Sequence, residues 1–397
     1  MSGSHPPAIP AAAYAERLVA ARRALRERGA GALLVGPGPD LRWLAGYDAM
    51  ALERLTLLVV PGDEEPAILV PRLEIARARL APALEAGLVR LVPWDETDDP
   101  IGLVPGLLGR AGAAPGHGPG AGRGGRLLVS DRLWAAFVLP LQATLSGARF
   151  GLASEALRDL RAVKDADEIA LLRAAAHAAD RVVAGVAHGP LVGRTEIDVA
   201  REVRERLVAE GHQSAGFAIV GSGPNSASPH HAPSDRRITE GEPIVLDIGG
   251  TIGGYGSDIT RTLWIGGAGT AAGPTAEYLD LYGALQAAQA EATAAVGPGI
   301  ACERIDAIAR DAITAAGYGR FFVHRTGHGI GLEEHEAPYI VAGNTEALRP
   351  GHAFSVEPGI YIDGRFGARI EDIVVCGSGG PDVLNEAPRD LLIVDGR

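Results

Sequence analysis

Four carboxylates between positions 247 and 371 fall in or beside short apolar runs, and no other feature constrains the fold as tightly. The runs are Ile244-Val245-Leu246-Asp247-Ile248, Ser257-Asp258-Ile259, Ser355-Val356-Glu357 and Ile370-Glu371, the last just ahead of Ile373-Val374-Val375. Runs of this kind predict buried strands. A charged carboxylate is seldom fully buried unless something pairs with it. Asp247 and Asp258 are separated by Gly249, Gly250, Gly253, Gly254 and Gly256, and Glu357 and Glu371 by Gly359, Gly364 and Gly367. Each pair reads as two strands joined by a glycine-bearing turn, with one acid per strand. Two such hairpins facing one another would converge four carboxylates on one point.

A histidine joins them. His328 lies in His324-Arg325-Thr326-Gly327-His328-Gly329-Ile330-Gly331, and its flanking glycines let the backbone approach a neighbour closely. Four carboxylates and one imidazole form an oxygen-rich, fairly hard ligand set. It favours Mn²⁺ or Co²⁺, with Zn²⁺ or Fe²⁺ as alternatives. Two such ions ~3.5–4 Å apart would hold a hydroxide ready at neutral pH. The expected chemistry is metal-dependent hydrolysis. A serine nucleophile has less support, because the chain has no G-x-S-x-G elbow. The run Gly221-Ser222-Gly223-Pro224-Asn225 lacks the Lys-Ser/Thr of a phosphate loop. Arg369, two residues before Glu371, shares its face if one strand covers 369–375. His324 reads as a core or supporting residue. Taken alone, His230 in Ser228-Pro229-His230-His231 is a loop histidine, and His335 in Glu333-Glu334-His335-Glu336 is a surface one.

The remaining sequence supplies scaffolding. A length of 397 residues with 47% hydrophobic and 22% charged content predicts a globular chain of two or three domains. The net charge of −12 disfavours nucleic acid or an anionic membrane as partner. No apolar run approaches the ~20 residues of a membrane helix, and the first ten residues lack the pattern of a signal peptide. Cys302 and Cys376 form no C-x-x-C pair, so two free thiols and a cytoplasmic protein are expected. Residues 1–11 read as a loose tail. A helix over 12–28 is followed by strands at 32–35, 55–60, 67–70, 90–92 and 126–129, with helices at 71–80 and 101–109 between them. This alternation predicts an α/β domain over 12–155. The Gly, Ala and Pro tract over 111–125 reads as a surface loop. A second domain over 156–397 begins with helices at about 164–189 and 195–210. Strands at 217–220, 243–248 and 259–265 follow, then helices at 275–296 and 301–316. Strands at 353–356, 359–362, 369–375 and 382–384 complete it.

With these motifs in hand, the chain resembles the pita-bread metallopeptidases: prolidase (Xaa-Pro dipeptidase), aminopeptidase P and methionine aminopeptidase. The resemblance covers nearly the whole chain. It implies an α/β (α+β) architecture, with a creatinase/prolidase-type N-terminal domain ahead of a pita-bread catalytic domain. It further implies that Asp247 binds one ion, that His328 and Glu357 bind the other, and that Asp258 and Glu371 bridge them. His230 and His335 match the histidines that contact substrate, Glu357 the proton shuttle, and Arg369 a residue orienting a bridging carboxylate. The implied reaction is hydrolysis of the bond between an N-terminal residue and proline by a metal-bridging hydroxide. The implied substrate is an Xaa-Pro dipeptide or a short peptide, and the implied assembly is a homodimer. Aminopeptidase P activity on longer peptides is the alternative, as is a non-peptide amidohydrolase or lyase on the same fold. One departure stands out in His335-Glu336-Ala337-Pro338-Tyr339. Some compact prolidases carry an arginine where this chain has Tyr339, and that arginine can hold a dipeptide's carboxylate.

Overall fold

The computed structural model describes residues 8–109, 125–267 and 271–396. Their packing forms one unit over Ile9–Arg161 and a second from Ala162 onward. In the first unit the strands are β1 Ala30–Val35, β2 Leu57–Pro61, β3 Ala67–Pro71, β4 Arg90–Trp94, β5 Arg126–Val129 and β6 Arg149–Leu152. They make a mixed sheet in the order β4-β3-β2-β1-β5-β6. The helices are α1 Ala11–Glu27, α2 Pro39–Ala45, α3 Ile75–Ala78, α4 Pro82–Glu85, α5 Pro100–Leu107, α6 Ala135–Thr144 and α7 Ser154–Ala162. Leu34, Leu57, Val59 and Leu127 of the sheet share a core with Val104, Leu108 and Leu141 of the α5 and α6 segments.

The helix expected over 71–80 is instead a 3₁₀ turn, Arg72–Glu74, followed by the single turn α3. Leu73 and Leu80 stay exposed, so no apolar stripe supports a longer helix. All of the tract expected as a loop over 111–125 except Gly125 lies outside the described residues, as do residues 1–7 of the expected tail.

The second unit repeats one plan twice: a helix pair, then an antiparallel-rich sheet. The first pair is α8 Ala166–Ala187 and α9 Glu196–Ala209. Asp165 and Glu168 cap α8 reciprocally, and Thr195 caps α9. The pair covers β7 Ser214–Ser222, β8 Glu242–Ile252, β9 Tyr255–Gly256 and β10 Ile259–Ile265. The second pair is α10 Ala276–Ala294 and α11 Cys302–Ala315. It covers β11 Gly327–Gly329, β12 Glu336–Ile340, β13 Ala353–Val356, β14 Gly359–Ile362, β15 Phe366–Arg369, β16 Asp372–Gly377 and β17 Gly380–Val383. A last strand, β18 Leu392–Val394, returns to the first sheet, whose order is β18-β10-β8-β7 with β9 beside β8. The second sheet runs β12-β11-β13-β16-β17, and β14 and β15 form a separate hairpin. No helix among the described residues is long and apolar enough to cross a membrane.

The acid-bearing hairpins differ from expectation. Asp247 sits inside β8, and Asp258 immediately precedes β10. Glu357 lies between β13 and β14, and Glu371 between β15 and β16. The second pair of acids therefore occupies strand breaks, and 369–375 is two strands rather than one. Arg369 still pairs with Gly359 of the hairpin, whereas Asp372 already pairs with Val356 of the sheet. Between them, the Glu371 N–H donates to the Thr260 carbonyl of β10 at 3.1 Å. The chain changes partner there because three neighbours need its backbone in succession.

Candidate metal centre

Asp247 and His328 sit inside strands, and Asp258, Glu357 and Glu371 sit at strand ends. Asp247 faces Thr260 across the β8–β10 ladder. His328 is the middle residue of β11, paired with Tyr339. A Cβ at Gly327 would collide with the Ser355 carbonyl, and one at Gly329 with the Ala337 carbonyl. The glycines thus answer to close packing of β11 between its neighbours. Asp306 of α11 is buried and accepts from the Thr326 N–H at 3.0 Å and hydroxyl at 2.9 Å, which fixes the entry to β11. The two halves meet through side chains. The Thr260 hydroxyl donates to Glu371 Oε2 at 2.6 Å, and Arg261 Nη1 donates to the Glu371 carbonyl at 2.6 Å.

All five sequence-derived ligand positions come together. One donor atom each from Asp258, His328 and Glu371 lie within 4.8 Å of one another. His328 Nε2 is 3.2 Å from Glu357 Oε1 and 3.6 Å from Asp258 Oδ2. Asp247, Asp258, His328 and Glu371 are buried, and Glu357 is nearly so. Burial pushes the Asp258 carboxyl well above the usual range, and Glu371, Asp247 and Glu357 push it further. Glu371 is raised in the same way by burial, Glu357 and Asp247. Asp247 is raised by burial against the pull of Arg369. Burial also opposes charge on Glu357, but His328, His324 and Arg369 outweigh it and hold the carboxyl at about 2. Asp247 Oδ1 is buried and has no hydrogen-bond donor among the described residues. Crowded carboxylates, an orphaned oxygen and a facing imidazole fit divalent cations and little else.

Arg369 reaches the centre otherwise than expected. Its guanidinium pairs with Asp247 directly, while Nε donates to the Thr260 hydroxyl at 3.0 Å and Nη1 to the Tyr361 hydroxyl at 2.8 Å. Its link to Glu371 runs through Thr260. The donors line a cavity of about 600 Å³, together with Phe217, Ile219, His230, His324, Arg325, Glu334 and His335. His335 packs on His328 with ring centroids 3.9 Å apart. Burial, then His328 and Arg325, lower its pKa to about 4, so it is neutral at pH 7. His231, next to His230, points to other work. Its Nε2 lies 2.8 Å from Glu196, which also accepts from Ser222, Asn225 and Ser234. That network ties the segment carrying His230 to α9. Sequence reasoning missed Thr260, Tyr361 and Glu334. Thr260 had a signal, since it shares the period-two face of Asp258.

Residues 170–378 match the metallopeptidase family M24, and residues 17–163 match the creatinase/prolidase N-terminal domain. A probable dipeptidase PepE from Mycobacterium tuberculosis is 47% identical over 382 residues, covering 96% of each chain. This chain belongs to metallopeptidase family M24. The M24 chain is also similar to two solved structures. Dipeptidase PepE from Mycobacterium ulcerans gives a TM-score of 0.87 at 45% identity, covering 98% of this chain and 99% of that one. A recombinant prolidase from Thermococcus sibiricus gives 0.85 at 32% identity, covering 96% and 99%. The M24 chain is thus a metallopeptidase, with a pita-bread catalytic domain behind a creatinase/prolidase-type N-terminal domain.

Proposed function

We propose that this peptidase is a dinuclear Xaa-Pro dipeptidase. The carrying observation is the convergence of Asp247, Asp258, His328, Glu357 and Glu371 on one cavity, with Asp247 Oδ1 buried and unpartnered. Asp247 would hold one ion, His328 and Glu357 the other, and Asp258 and Glu371 would bridge them. Mn²⁺ or Co²⁺ suits the set best, with Zn²⁺ or Fe²⁺ next. Bound there, such ions lower the pKa of a water toward neutrality and polarise the scissile carbonyl. Arg369 fixes Asp247 and, with Thr260, Glu371. Glu357 is ionised at neutral pH and borders the cavity, so it can accept a proton from a water and pass it to the departing amine. Neutral His335 can donate a hydrogen bond to the substrate oxygen, and His230 faces the same space.

An X–Pro bond is a tertiary amide without an N–H, so it suits a site that works through the carbonyl and the free amine. The prolidase among the similar structures supports this choice. The proposal includes a homodimer in the cytoplasm. Cys302 and Cys376 are both buried, which suits a reducing compartment. The test strips the enzyme with chelator, restores Mn²⁺, Co²⁺ or Zn²⁺, and compares Leu-Pro, Leu-Ala and Leu-Pro-Ala. Metal-dependent proline release from Leu-Pro, well ahead of the other two, is expected. Faster cleavage of Leu-Pro-Ala would make the enzyme an aminopeptidase, and equal cleavage of Leu-Ala would remove the proline preference.

A further inference from the structure

Two arginines line the cavity, and they differ in one respect. Arg369 is buried and bound to Asp247, Thr260 and Tyr361. Arg325 is half-buried, and no carboxylate among the described residues pairs with it. Its guanidinium lies over the ring of Tyr339, 4.5 Å from the centroid. Tyr339 is paired across the sheet with His328, so the guanidinium is carried on the strand next to the metal centre. Arg325 lines the same cavity as His328 and His335. Tyr339 is also the position where the sequence departs from compact prolidases.

An aromatic ring under a guanidinium occupies its face and leaves its N–H edge for hydrogen bonding. That edge is a planar fork matched to a carboxylate, which it binds through two parallel hydrogen bonds. Five carboxylates already line the cavity: Asp247, Asp258, Glu334, Glu357 and Glu371. A cation without a partner at another place on its wall is complementary to an anionic group brought by the ligand. Its volume of about 600 Å³ suits a small molecule. In a dipeptide the C-terminal carboxylate stands one residue beyond the scissile bond, which places it within the same small cavity.

We infer that Arg325, stacked on Tyr339, forms the subsite for the C-terminal carboxylate of a dipeptide substrate. Arg325 binds and positions, and takes no part in bond cleavage. Tyr339 serves as its platform. The inference rests on the proposed peptidase reading of the same site, yet it is separable from proline preference, because any dipeptide carries this carboxylate.

The test uses the Mn²⁺-loaded enzyme and four substrates: Leu-Pro, Leu-Pro-amide, Leu-Ala and Leu-Ala-amide. Values of kcat and KM are measured for the wild type, Arg325→Ala and Arg325→Lys, with metal content and melting temperature recorded for each. The wild type should prefer the free acid to the amide. In Arg325→Ala that preference should fall about 10- to 100-fold, mainly through KM for the acid, the range a hydrogen bond to a charged group carries. Arg325→Lys should recover part of it, since it restores the charge without the fork. Equal losses on acid and amide in Arg325→Ala would overturn the inference, and so would a wild type with no preference or no activity on free dipeptides. Loss of the difference between Leu-Pro and Leu-Ala would instead overturn the proline reading, while the acid-to-amide ratio still decides the role of Arg325.

Discussion

At the residue scale the site is a problem of excess negative charge with one built solution. Asp258 is raised by burial, Glu371 and Asp247, Glu371 is raised by burial, Glu357 and Asp247, and Asp247 keeps a buried oxygen without a donor among the described residues. Cations remove all three penalties at once. Asp258→Asn keeps the shape, removes the charge and adds donors facing other acids. It should lose bound metal and at least about 100-fold in kcat/KM, which metal analysis beside a Leu-Pro assay would check. Arg369→Lys keeps a charge but not the fork that spans Asp247, Thr260 and Tyr361. A fall of about 10- to 100-fold in metal affinity or activity is expected, the usual cost of disturbing a residue that orients a ligand. The five proposed ligand positions stood out in the sequence because ionisable groups in or beside apolar runs are physically anomalous. Tyr361 did not, because a tyrosine in a strand is ordinary, and Thr260 could be read only from its period-two spacing to Asp258.

At the element scale the loop bearing His230 depends on Glu196. That carboxylate is fully buried, and although burial opposes its charge, hydrogen bonds from Ser222, Ser234 and His231 bring its pKa down to about 2. A depressed pKa contributes stability that is present above the ordinary value of 4.5 and is lost as pH falls toward about 2. Glu196→Gln should cost about 1–3 kcal/mol in urea unfolding at pH 7, flatten the acid limb of the stability profile and raise KM through misplaced His230. An unchanged pH profile would show that the network carries no such weight. The break of the chain at Ile370-Glu371 was not legible. The apolar residues Ile370 and Ile373-Val374-Val375 cannot report that the backbone changes partners from β14 to β10 to β13. The short helix α3 was misjudged for a related reason, since apolar residues at helical spacing fold that way only when they find a core.

At the largest scale, the unit from Ala162 onward is built of two helix-and-sheet halves whose carboxylates converge on one cavity. That plan was legible from the repeated glycine-bearing acid pairs. The strands β11, β12 and β18 were not, since each is short and lacks alternation of its own. A centre built between two halves couples metal to stability. Carboxyls whose folded pKa lies above the unfolded value of about 4 destabilise the metal-free protein as pH rises through that interval. Chelator-treated protein should therefore melt lower than the Mn²⁺-loaded form, with a wider gap at pH 8 than at pH 5, in a thermal scan at both values. The most direct measurement is the number of metal equivalents per chain in protein stripped and reloaded with Mn²⁺, taken together with proline release from Leu-Pro. Two equivalents per chain, with activity rising as they fill, is the expected result. Full Leu-Pro hydrolysis by protein holding no metal would contradict a centre built on these five residues.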